Sequence, residues 1–148
     1  MAMHTWFECK IRYEKTMENG MIQKVTESYL VDALSFTEAE ARIIEEVPPF
    51  ITGEFTISDI KRANYSELFV SDEEAADRWF KCRLFFITLD EKSGAEKKTA
   101  SFVLVQAADL RNAVRKLDEG MKGTMADYQI GAVTETAIVD VCPYGSTA

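Results

Sequence analysis

Trp6-Phe7-Glu8-Cys9-Lys10-Ile11-Arg12-Tyr13 returns 73 residues later as Trp79-Phe80-Lys81-Cys82-Arg83-Leu84-Phe85-Phe86. Trp, Phe and Cys are identical, and Lys/Arg, Ile/Leu and Tyr/Phe are chemically close. The likeness continues outward in chain order. At an offset of 74, Ala33, Ser35, Phe36, Ala39, Arg42 and Ile43 face Ala107, Asp109, Leu110, Ala113, Lys116 and Leu117. At 73 again, Phe55, Ile57, Ile60, Tyr65 and Leu68 face Tyr128, Ile130, Val133, Ile138 and Val141. Three matched segments in one order at nearly one offset read as an internal repeat, and a repeat decides the fold before any single element does.

Period and punctuation assign the elements. Residues 4–14 alternate, with Phe7, Cys9, Ile11 and Tyr13 on one face and Trp6, Glu8, Lys10 and Arg12 on the other, the pattern of a half-buried strand. Asn19-Gly20 closes a hairpin, because both residues tolerate positive φ. Residues 22–33 form the return strand. Ser35 caps a helix and Glu38 completes a capping box. Phe36, Ala39, Ile43 and Val47 make its inward stripe, Ile44 lies beside them, and Pro48-Pro49 ends it. A third strand follows at about 54–69. The second half predicts strands at 78–90 and 98–106, and a helix at 110–121 capped by Asp109, with Leu110, Ala113, Val114, Leu117 and Met121 inward. Its last strand covers 127–142.

The expected fold is therefore α+β, a tandem duplication of a ββαβ unit with two helices, mainly antiparallel sheets and pseudo-two-fold symmetry. A crossover helix returns the third strand parallel to the second and antiparallel to the first, which gives the order 2-1-3 with the first strand central. Residues 1–148 read as a single globular domain, with repeats at about 4–70 and 78–143 joined by an acidic linker at 71–77. The halves form either one six-stranded sheet or two facing sheets, and their end strands are open to another chain.

Bulk properties narrow the function. The chain has 148 residues, 47% hydrophobic and 28% charged, which suits a folded domain. No apolar run approaches the roughly 20 residues of a membrane span. Met1-Ala2-Met3-His4-Thr5-Trp6 lacks the basic-then-apolar pattern of a secretory signal, so a cytoplasmic location and no membrane partner are expected. Three cysteines, an odd number, fit free thiols in a reducing compartment. The net charge is −8, and all of it falls in residues 1–74, with 7 Lys+Arg against 15 Asp+Glu. That half repels polyanions at long range.

Catalytic chemistry finds no support. The single histidine, His4, lies on the strand face opposite Cys9, so no Cys–His pair forms. Cys9 and Cys82 are inward-facing and read as core thiols, and Cys142 as inert packing. No Cys-x-x-Cys or histidine cluster supplies a metal site. Glu38, Glu40, Glu45, Glu46, Asp72, Glu73 and Glu74 read as solvated faces. The 7 glycines form no phosphate-binding turn, and Gly120-Met121-Lys122-Gly123 reads as a helix end. The expectation is no catalytic residue, no metal and no cofactor.

What remains is a surface. Trp6, Lys10 and Arg12, with Trp79, Lys81 and Arg83, present aromatic and basic residues on the strand faces turned away from the inward set. Such faces stack bases in single-strand-binding sheets. Equally, the two Trp rings pack between the halves or at an oligomer interface, which the net charge favours over nucleic acid. Helix one carries −3 over Glu38–Glu46 and helix two +1 over Arg111–Glu119, so oppositely charged surfaces can also pair. The resulting expectation is a non-catalytic binding or scaffold protein that self-associates, with a protein partner possible. Single-stranded nucleic-acid binding is the alternative.

The run from Trp6 to Tyr13, continued through Ser35-Phe36-Thr37-Glu38-Ala39-Glu40-Ala41, resembles an uncharacterised family of short cytoplasmic Bacteroidetes proteins, a domain of unknown function. The resemblance covers the chain from Met3. It implies a bacterial origin and brings no activity, ligand or site residue with it.

Overall fold

Alternation along the first strand positions everything else. In the computed structural model, which describes residues 5–47, 51, 53–124 and 127–143, β1 (Trp6–Thr16) pairs antiparallel with β2 (Ile22–Asp32) through a turn at Asn19-Gly20. Gly20 has φ +82°, the left-handed geometry that such a turn demands. The helix α1 (Phe36–Glu46) begins where expected. The Glu38 amide donates to Ser35 Oγ at 3.1 Å, and Glu38 Oε1 accepts from the Leu34 amide at 3.1 Å. β3 (Phe55–Ala63) then lies antiparallel on the other side of β1.

The second half builds the same series. β5 (Arg78–Leu89) pairs with β6 (Glu96–Ala107), α2 (Leu110–Gly120) follows, and β7 (Asp127–Glu135) pairs with β5. Asp109 accepts from the Asn112 amide at 2.8 Å, while Asn112 Oδ1 takes the Ala108 amide at 3.0 Å. The result is α+β with two helices and two mainly antiparallel four-stranded sheets. In each sheet the aromatic-rich strand is internal, and the order 2-1-3 holds as β2-β1-β3 and as β6-β5-β7.

The sheets gain their fourth strands by exchange. The third strand was expected to run unbroken through 54–69. It ends at Ala63, and Glu67–Phe69 (β4) joins the other sheet, parallel to β6. The last strand, expected through 127–142, likewise ends at Glu135, and Ile138–Cys142 (β8) joins the first sheet, parallel to β2. The register explains the break. Ala63 stands opposite Trp6, the first residue of β1, so the chain beyond it has run off the end of its partner. Thr136 donates its amide to Trp79 O near the start of β5, and the ladder stops there too. The sheet orders are β3-β1-β2-β8 and β4-β6-β5-β7, in place of three strands each or one sheet of six.

The chain accordingly divides into one unit up to Asn64 completed by the residues from Ala137, and a second over Tyr65–Thr136. The acidic stretch 71–77, expected as the boundary, lies inside the second unit, with one turn closed by Ala76 N–H on Glu73 O. Each unit has its own core beneath its helix. Phe7, Cys9, Ile11, Tyr29, Val31, Ala39, Ile43, Val47 and Cys142 form the first, and Phe80, Cys82, Leu84, Val103, Val105, Ala113, Leu117 and Met121 the second. Each large side chain fully buried this way contributes about 1.5–3 kcal/mol. Phe36 and Leu110, expected inward, sit in the first helical turn and stay 52% exposed, although the Phe36 ring meets Phe7 edge-on at 4.9 Å. Pro48-Pro49 and His4 lie outside the described residues.

Candidate binding surfaces

The strand faces opposite the helices carry the residues singled out from sequence, and these split by depth. Trp6 and Trp79 are buried, at 6% and 4% exposure. They share the helix-free faces with Leu30 and Leu104, both 0% exposed, and belong to neither core beneath a helix. Further along the strands the faces open: Lys10 is half-buried, and Arg12, Lys81 and Arg83 are exposed. In the second unit the cations lie on aromatic rings. Lys81 Nζ stands 4.7 Å from the Phe102 ring centre, and the Arg83 guanidinium 4.9 Å from that of Phe85. Phe85 in turn covers Gly131, where an added Cβ would overlap its ring. Such stacking holds a cation in place by its attraction to the ring face. Lys81 and Arg83 thus lie on rings at an exposed surface, while the two indoles are withdrawn.

The thiols are withdrawn as well. Cys9, Cys82 and Cys142 are free and buried. Burial pushes Cys9 up to about 12, with Cys142 and Glu8 adding to the effect, Cys82 to about 11, and Cys142 to about 12 with Glu46 and Asp140 adding. All three are neutral thiols at pH 7, a form that is a poor nucleophile and a poor metal ligand. Among the described residues no three His, Cys, Asp or Glu side chains converge on a point that would hold a metal ion. Of the acidic residues named from sequence, Glu38 caps α1, Glu46 lies 3.5 Å from Arg42, and Glu73 lies 3.5 Å from Lys116.

Two concavities lie on the units, one in each. The larger, about 880 Å³, lies in the first unit between Arg12, Tyr13, Lys24, Glu54 and Phe55, and is a wide surface hollow. Tyr13 donates its hydroxyl to Glu27 at 2.8 Å; burial first, and this bond second, lift the phenol to about 12. The smaller, about 500 Å³, lies in the second unit between Phe69, Ser71, Glu73, Lys116 and Gly120. In the smaller, Lys116 donates to Ser71 Oγ and lies 3.5 Å from the Glu73 carboxylate.

Two features escaped sequence reading. The first is the clamp on each exchanged strand. Arg42 donates to the carbonyls of Asp32, Cys142 (3.5 Å) and Pro143 (3.1 Å), tying the end of β8 to α1. Lys116, which aligning the two halves of the sequence sets against Arg42, donates to Ser71 Oγ just beyond β4. That match was the available signal. The second is which of the end strands expected to be open stay so: β8 covers β2 and β4 covers β6, and β3 and β7 are the long edges left. β3 and β7 each pair on one side only, with exposed and half-exposed side chains along their length. An edge of this kind presents unpaired N–H and C=O groups to a further strand.

No helix among the described residues is long and apolar enough to cross a membrane. No curated protein and no solved structure matches the chain. A family model does, over residues 5–144, and the chain belongs to that family, described as Domain of unknown function (DUF4494).

Proposed function

We propose that this chain is a non-catalytic binding or scaffold protein of the bacterial cytoplasm that self-associates through its strand edges, and that it arose by tandem duplication of a ββαβ unit. The observation that carries the self-association is the pair of long, one-sided edge strands β3 and β7. Three buried, protonated thiols fit both a reducing compartment and a protein without covalent chemistry.

Duplication is supported by irregularities, which chance reproduces poorly. The bulge in the β1–β3 ladder skips Ser58, and that in the β5–β7 ladder skips Gly131, at the repeat offset. The exchanged strands share a register too. Phe69 stands opposite Val105 and Cys142 opposite Val31, so both pairs of partners keep the sequence offsets of the repeat.

Light scattering after size-exclusion chromatography over a wide concentration range tests the reading. A mass that rises with concentration to a defined oligomer is expected; a mass fixed at one chain removes self-association. The nucleic-acid alternative retains one supporting observation, the exposed cations Arg12, Lys81 and Arg83. It requires salt-sensitive binding of a short single-stranded oligonucleotide with a change in Trp emission. With both indoles buried, the expected emission is blue-shifted and unmoved by the oligonucleotide.

A further inference from the structure

Of the two long open edges, β3 and β7, only β3 carries charge along its middle. On the helix-free face of the first sheet, Glu8 stands opposite Lys61 and Lys10 opposite Asp59. Asp59 and Lys61 are exposed and flank Ile60, itself half-buried against the core of that unit. The corresponding positions on β7 are Ala132, Val133 and Thr134, opposite Arg83, Cys82 and Lys81. That edge has nothing with which to complement itself.

We infer that the β3 edge is a homodimer interface, in which β3 of a second copy adds antiparallel about a two-fold axis at Ile60. This rests on the self-association reading above and names its surface. Under that symmetry Ile60 faces its own copy, and Asp59 of each chain faces Lys61 of the other. Directly opposed strand residues on one face lie about 4.5–5.5 Å apart at Cβ, close enough for opposite charges to attract and like charges to repel. Two rows result, each alternating in sign across the four central strands. One runs Glu8, Lys61, then Asp59 and Lys10 of the second copy; the other is its mirror in order. The existing cross-strand pattern of one sheet is thus continued through the dimer without a like-charge step.

The bulge sets the limits of the ladder. Ser58 is the extra residue, and its hydroxyl donates to Lys10 O at 3.3 Å, so regular pairing with the second copy runs from Ser58 to Arg62. A bulge ordinarily protects an edge from indiscriminate pairing. Here it confines pairing to the stretch where charge fixes the register. A shift by two residues would place Asp59 against Asp59 or Lys61 against Lys61 of the second copy, so the pattern selects one alignment.

Charge reversal in separate chains tests this. Asp59→Lys and Lys61→Asp should each weaken self-association roughly tenfold or more, since each places like charges in both rows. An equimolar mixture of the two variants should recover association in sedimentation velocity, because both lysines of one strand then face aspartates of the other. Recovery on mixing excludes misfolding as the cause of the losses. If the native chain associates and both variants associate equally well, the β3 edge is not the interface, while self-association stands. Abolition by Thr134→Lys on β7 with Asp59→Lys silent would likewise overturn it in favour of the other edge. A native chain that stays monomeric at every concentration removes both this interface and the scaffold reading.

Discussion

Cys9, Cys82 and Cys142 face apolar cores, and their protonation couples folding to alkaline pH. Burial lifts them from an ordinary 9.0 to about 12, 11 and 12, and Tyr13 from 10.0 to about 12. Tyr29 moves in the same direction, with burial the largest cause and Glu27 next. The unfolded chain therefore releases these protons first as pH rises. Their contribution is complete below pH 9 and is lost between about 9 and 12, because the folded state binds more protons across that window. Urea midpoints should be flat from pH 7 to 8.5 and fall steadily above 9, and a thiol reagent at pH 8 should modify the cysteines only in denaturant. Arg42 supplies a second residue-scale prediction. It is the side-chain tie from α1 to both Asp32 and the end of β8, so Arg42→Met leaves the Cys142 and Pro143 carbonyls without that donor. A loss of about 2 kcal/mol in unfolding free energy is expected, the scale of a charged donor on partly buried acceptors. Lys116→Met, whose tie runs to Ser71 and the exposed Glu73, should cost less than about 1 kcal/mol.

At the scale of elements, what was legible in the sequence is local and what was not is a matter of where partners end. Ser35, Glu38 and Asp109 mark helix starts because a cap is a contact between neighbours in sequence, and Asn19-Gly20 marks a turn for the same reason. The alternation that placed Cys9 inward also reads directly from period. Nothing in the period of residues 54–69 announces a break after Ala63, because apolar residues continue at Leu68 and Phe69. The break comes from β1 beginning at Trp6, a fact about another strand. Burial of Trp6 and Trp79 was the reading that large aromatics favour, although a strand face with Lys and Arg beside Trp also suits a nucleic-acid surface. The seating of β4 can be tested at Gly120. Three atoms of the Phe69 ring lie 2.8–2.9 Å from where a Cβ would stand, so the helix end accepts the ring only because no side chain intervenes. Gly120→Ala gains up to about 1 kcal/mol of helix propensity, yet displacing a packed ring costs roughly 1–3 kcal/mol. Net destabilisation is expected in thermal unfolding. In a Phe69→Leu background the same change should become neutral or favourable, and equal effects in both backgrounds would show that the ring is not the obstacle.

Exchange of β4 and β8 makes each unit depend on a segment that follows the other in the chain, and truncation separates chain order from structural order. Ending the chain after Thr136 removes Ile138 and Cys142, 5% and 4% exposed, together with the parallel ladder to Ser28–Val31 and two carbonyl acceptors of Arg42. Lost burial and hydrogen bonds sum to roughly 3–6 kcal/mol, a large share of the 5–15 kcal/mol that typically holds a domain together. The deleted segment directly follows β7, which belongs to the second unit. If neighbours in sequence set stability, β5, β6 and β7 would loosen. The register predicts the opposite: hydrogen exchange should accelerate in β2 at Ser28–Val31 and in α1, while β5–β7 keep their protection. Phe69→Ala supplies the reverse case, loosening β6 and α2 although β4 directly follows β3 of the first unit in sequence. Protection lost in β5–β7 of the truncated chain, with β2 unchanged, would mean that β8 does not complete the first sheet in solution. Loss confined to β2 and α1 would establish that the first unit is finished by the chain that follows the second, and that it is not a domain of contiguous sequence.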